Sequence, residues 1–198
     1  MNFQELYDWI FHQRPDGVGL SLKATGLVLG ALLVLAHAWA LLRTEKAMAI
    51  AKSFPRHRVW GIGLLAVCLV WSIFLVSCMD MGEFYTWRRW LMILLPVTFF
   101  LVVAYVPEFL AVRALGTLML LGASPVLHAA FLQPPATRLV LPILAYAWVV
   151  IGIFLVGMPY LLRDWISWAT QNAGRWKLAA MGGAAYGVVM LVLAAVAW

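Results

Sequence analysis

Charge is what this sequence has least of. Asp, Glu, Lys and Arg make up 11% of its 198 residues, against about 25% in soluble globular proteins. With 65% hydrophobic residues, the chain does not read as a soluble domain. Acids are scarcest: eight stand against 14 Lys and Arg, and none lies deep inside an apolar run. That weakens proton-coupled or cation-coupled transport, because such carriers usually use an intramembrane acid. Cysteine is scarce too. Cys68 and Cys78 share one apolar run. Ten residues apart on a helix, they point about 80° away from each other across about 15 Å of rise, which excludes a disulfide between them. No CxxC or metal-ligand spacing occurs, so the thiols read as buried and inert. HExxH, GxSxG, a glycine-rich phosphate loop and paired acids at a membrane face are all missing, which points away from an enzyme. The net charge of +6 does not argue for nucleic acid, because the basic residues are scattered between apolar runs. Membrane topology and contact with anionic lipid account for them better.

What is present is a series of apolar runs of bilayer length, with short connections. They predict an all-α integral membrane protein, a single membrane domain over 1–198 with about six transmembrane helices and two interfacial amphipathic helices. The expected spans are 24–42, 59–79, 90–106, 110–132, 139–160 and 178–198. Residues 1–12 place Phe3, Leu6, Tyr7, Ile10 and Phe11 on one side, as in a helix lying in the interface. A break is expected at Arg14, Pro15, Asp16 and Gly17. The first span contains small-x-small triplets around His37 and Trp39 but is too long for a signal-peptide core, so it reads as retained. Residues 43–58 form the most basic connection. A minimal connection through Pro107 predicts that the third and fourth spans form a tight antiparallel hairpin, with Pro107 at the first helical position and Glu108 in the first turn. Pro142 and Pro159 fall near the two ends of the fifth span. Residues 161–173 read as the second interfacial helix, ended by Gly174.

Orientation follows from the basic residues. With both termini outside, the inner segments hold nine (Arg43, Lys46, Lys52, Arg56, Arg58, Arg113, Arg163, Arg175 and Lys177) and the outer segments five (Arg14, Lys23, Arg88, Arg89 and Arg138). Nine against five favours that orientation, in a bacterial-type inner membrane.

The fourth span carries the most distinctive pattern. At about 100° per residue, Arg113, Thr117, Ser124 and His128 fall within roughly 60° of one another. This polar stripe could line a path about 22 Å long or meet a ligand or partner helix. The alternative has Arg113 snorkelling to headgroups, Thr117 and Ser124 bonding to their own helix, and His128 at the far interface. Pro125 adds a kink beside Ser124 by releasing the carbonyl of Leu121. Elsewhere, Gly26 and Gly30 form a GxxxG in the first span, with His37 about 20° from Gly26 on the helical wheel, and Gly183 and Gly187 form another in the sixth. Both predict close helix packing with His37 turned inward. Arg88 and Arg89, flanked by Trp87 and Trp90, could hold a lipid headgroup or another anion, or belong to an aromatic belt with snorkelling arginines.

Haem b is the cofactor to weigh, since paired histidines on facing membrane helices can ligate it. His37 lies near the inner end of its span and His128 near the outer end of its own, so they cannot be the two axial ligands of one haem in a monomer. No cofactor and no metal is expected. Short loops, eleven tryptophans and small-residue faces predict a non-catalytic membrane subunit packed within a larger complex. Its partners would be membrane lipid and either other transmembrane subunits or further copies of itself. A small channel or transporter lined by the fourth span is the alternative.

Overall fold

A computed structural model describes residues 2–12 and 19–198; the break expected at residues 14–17 lies outside them. The protein is an all-α integral membrane protein. Among the described residues, six helices are long and apolar enough to cross a membrane. They are α2 (Leu22–Leu42), α4 (Arg58–Cys78), α5 (Arg88–Tyr105), α6 (Leu110–Ala130), α7 (Val140–Gly157) and α9 (Ala173–Val196). Three shorter helices accompany them: α1 (Phe3–Phe11), α3 (Thr44–Ser53) and α8 (Tyr160–Thr170). α1, α2, α4 and α9 start where polar side chains satisfy their first free N–H groups. Asn2 and Glu5 close a capping box on α1, Ser21 accepts from Ala24 N at 3.1 Å, His57 from Trp60 N, and Asn172 from Gly174 N at 2.8 Å.

α1 and Trp198 lie on one side of the bundle, the terminal side, against the end of α6 and the start of α7. α3 and α8 lie on the opposite, basic side. α6 is the central helix. It packs against α7 and α4, while α2 and α9 form a second antiparallel pair. The two pairs meet toward the terminal side through Leu22, Ala123, Val126, Leu141, Ala145 and Met190. Tyr186 of α9 donates to the Val140 carbonyl of α7 across that seam. Small residues set these partnerships, because helices in lipid gain from close backbone approach more than from apolar area. Methyl groups added at Gly116 or Gly152 would each lie 2.8 Å from the other's carbonyl oxygen. Likewise, one added at Gly61 of α4 would lie 2.8 Å from Ala111 N of α6.

The structure corrects several expectations. The third and fourth spans do not form a packed hairpin; α5 packs on α4 and buries no residue. Its outer surface carries Trp90, Leu94, Val97 and Phe100, with no glycine to let a backbone approach. Pro107 and Glu108 precede α6 instead of opening it, and Phe109 takes a left-handed conformation (φ 55°) before Leu110. The basic connection 43–58 contains a third amphipathic helix, α3, that the charge count hid. The 161–173 helix ends earlier, at Thr170. Asn172 rather than Gly174 marks the boundary, and Gly174 lies inside α9. Pro159 lies outside the fifth span, at the start of α8.

Candidate functional site

The polar stripe of α6 is divided between two surroundings. Arg113 and Thr117 line a cavity of about 430 Å³ enclosed by α4, α5 and α6, with Val156 of α7 at its edge; Ser124 and His128 are not among its lining residues. The cavity exists because α4 and α6 run side by side in parallel and α5 packs chiefly on α4. Its α5 wall runs from Leu91 to Val106, fifteen residues or about 22 Å at 1.5 Å per residue. Most of the lining is aliphatic or aromatic; the polar exceptions are Ser72, Thr98, Thr117, the Cys68 thiol and Arg113. Sequence reasoning missed this cleft. Its α6 wall was marked by Arg113 and Thr117, but the walls from α4 and α5 had only Ser72 and Thr98 as a signal, single hydroxyls within apolar runs.

Arg113 is the one charged group in the lining. It sits one turn into α6, near the basic side, and its Nη1 donates to the Val156 carbonyl at 2.7 Å. Val156 is next to the last residue of α7, so this carbonyl is one of those a helix end leaves without an intrahelical donor, at the negative end of the dipole. The guanidinium therefore closes a neighbouring helix. Arg113 Nε is buried and has no partner, and among the described residues no carboxylate is paired with Arg113. Thr117 Oγ1 donates back to the Arg113 carbonyl at 3.0 Å.

At the other end of α6, Ser124 is half-buried and His128 is exposed, its ring 5.3 Å from Phe11 of α1 in an edge-on contact. Phe11 is the buried residue of α1. Tyr7 beside it stacks near Phe11 and Phe74. Burial, and after it the Asp8 carboxylate, raises the Tyr7 phenol above its ordinary range. Cys78 reaches the Phe3 carbonyl at 3.5 Å and Cys68 the Ala114 carbonyl at 3.5 Å. Both thiols are free.

The two GxxxG motifs lie on the α2/α9 interface. A methyl group at Gly30 would stand 3.0 Å from the Gly187 carbonyl oxygen, one at Gly26 would strike the ring of Trp198, and one at Gly183 would strike the ring of His37. His37 Nδ1 bonds the Leu33 carbonyl at 2.8 Å, which fixes the imidazole over Gly183. Gly183→Ala should therefore destabilise the protein by about 1–3 kcal/mol, as overpacking does. In a His37→Ala background the same change should be nearly neutral. Thermal unfolding of both single variants and the double variant in detergent reads this coupling, and equal effects in the two backgrounds would refute the contact.

Arg88 and Arg89 part company. Arg88 Nη2 donates to the Met79 carbonyl, just beyond the end of α4, at 2.5 Å, and its guanidinium lies 5.0 Å from the Tyr85 ring centre. Arg88 Nε is buried and has no partner, and Arg89 is exposed. Compared with protein-family models, curated proteins and solved structures, the chain matches none.

Proposed function

We propose that this protein is a non-catalytic membrane subunit that packs within a larger membrane complex, in a bacterial-type inner membrane with both termini outside. One observation carries the reading: the polar side chains of the α6 stripe that reach the interior are taken up by backbone carbonyls. Arg113 is bonded to Val156 and Thr117 to Arg113. Polar groups used in this way hold helices together, and Arg113 and Thr117 each spend a donor on the helices instead of on a continuous path across the membrane. The bias of basic residues toward the side bearing α3 and α8 supports the orientation. α5, packed on one neighbour and covered with Trp, Leu, Val and Phe, is the helix on which a partner would pack.

A channel or transporter lined by α6 would need Arg113 and His128 to open on one route, and the separation of their surroundings weighs against it. The test is isolation of the protein from its native membrane in mild detergent, followed by reconstitution alone in liposomes. Membrane partners in fixed ratio and no solute flux are expected. A protein that runs alone and moves solute, with flux lost in Arg113→Ala and His128→Ala, would sink the subunit reading.

A further inference from the structure

Beyond its packing role, we infer that the cleft between α4, α5 and α6 is a binding site for an anionic phospholipid, with one acyl chain along α5 and the phosphate at Arg113. The shape argues for a chain. About 430 Å³ spread over about 22 Å of helix gives a mean cross-section on the order of 20 Å², whereas a helix with its side chains is about 10–12 Å across and needs several times that. A partner helix does not fit, and a single hydrocarbon chain does. The lining suits it, with Leu91, Leu95, Phe99 and Val102 along one wall and Leu65 and Leu69 on the other.

Charge fixes which way the lipid lies and which lipid it is. The cleft holds one charge, at the end of α6 nearest the basic side, where headgroups would sit. A guanidinium carries five donors; Arg113 uses Nη1 on Val156, and its Nε has no partner. Arg113 is met by one carbonyl and, among the described residues, by no carboxylate; a cation so placed at membrane depth leaves room for an anion, and a phosphate presents the oxygens that a guanidinium fork matches. A second hollow on the same side of the membrane is lined by Arg56, Arg163 and Glu108, with Arg163 paired to Asp164; the excess of Lys and Arg over acids on that side as a whole is what attracts anionic lipid. Because α5 and α6 are not packed together, the cleft opens sideways to the bilayer, so a second acyl chain stays in the membrane.

The experiment is native mass spectrometry of the full chain in mild detergent, titrated with phosphatidylglycerol and, separately, with phosphatidylcholine bearing the same chains. The expected result is a phosphatidylglycerol adduct at least about tenfold tighter than the phosphatidylcholine one. Ser72→Trp, which fills the cleft away from the Arg113–Val156 bond, should abolish that adduct, and Arg113→Gln should weaken it about tenfold. Equal retention of both lipids, or an adduct that survives Ser72→Trp, would overturn the site. So would displacement of the lipid by inorganic phosphate alone or by oleate at equal concentration, which would assign the pocket to a free anion or a fatty acid. If Arg113→Gln does not fold, Ser72→Trp and the comparison of the two lipids on the unaltered protein decide the matter.

Discussion

Gly152→Val is expected to lower the unfolding midpoint in detergent by about 6–12 °C, through a loss of about 3 kcal/mol. The nearest atom in the way belongs to a backbone. A methyl group at Gly152 would lie 2.8 Å from the Gly116 carbonyl oxygen and 3.0 Å from Leu120 Cγ. A side chain can rotate aside, but the carbonyl can move only with its helix. α6 and α7 would have to separate along their crossing and lose the packing around Ala123, Leu141 and Ala145. Gly61→Val should behave similarly, because Ala111 N stands 2.8 Å from the position of its first carbon. Gly63, two residues along α4, has open space around it. Gly63→Ala should leave the midpoint unchanged or raise it by the helix-propensity gain of about 1 kcal/mol. If Gly152→Val and Gly63→Ala melt alike, the crossing does not hold the bundle.

The same glycines mark how far the sequence could be read. Gly26, Gly30, Gly183 and Gly187 stand at spacing four within apolar runs, and that periodicity alone points to close packing. Gly61, Gly116 and Gly152 have no such spacing. Each finds its partner on another helix, so one-dimensional pattern cannot reveal them. The error over α5 and α6 has the same origin. A short connection implies that two helices are near in sequence, but contact in lipid depends on which faces can approach closely. α6 offers Ala111, Ala114, Gly116, Ala123, Ala129 and Ala130 as buried or closely packed positions. α4 and α7 meet that surface with Gly61 and Gly152, and α5 has no glycine to offer. The helix α3 was hidden differently. Its charges read as a loop until Ala47 proved buried, with Glu45, Lys46, Ile50 and Lys52 outward. As for the candidate site, the angular coincidence of Arg113 with Thr117 was visible in the sequence, but the partner of Arg113 is a backbone carbonyl on α7, which no side-chain pattern encodes.

Arg113→Ala is the second change expected to have a large effect, again about 3 kcal/mol, because two contributions end together. A hydrogen bond from a charged donor is worth about 1.5–3 kcal/mol, and a cation at a helix C-terminus adds up to about 2 kcal/mol in a partly buried setting. The Val156 carbonyl would lose the donor now 2.7 Å away, at a helix end already short of partners. Hydrogen exchange should quicken first in the last turn of α7, around Val156, Gly157 and Met158, before the midpoint falls. Arg113→Lys separates the two contributions. It keeps a positive charge near the dipole but replaces the planar fork with a point charge on a different reach, so an intermediate midpoint is expected. A snorkelling arginine, by contrast, would tolerate lysine fully and leave α7 exchange unchanged. That outcome would remove the helix-closing role assigned to Arg113 and return the α6 stripe to its other reading, with Arg113 snorkelling to the headgroups and the hydroxyls bonded to their own helix.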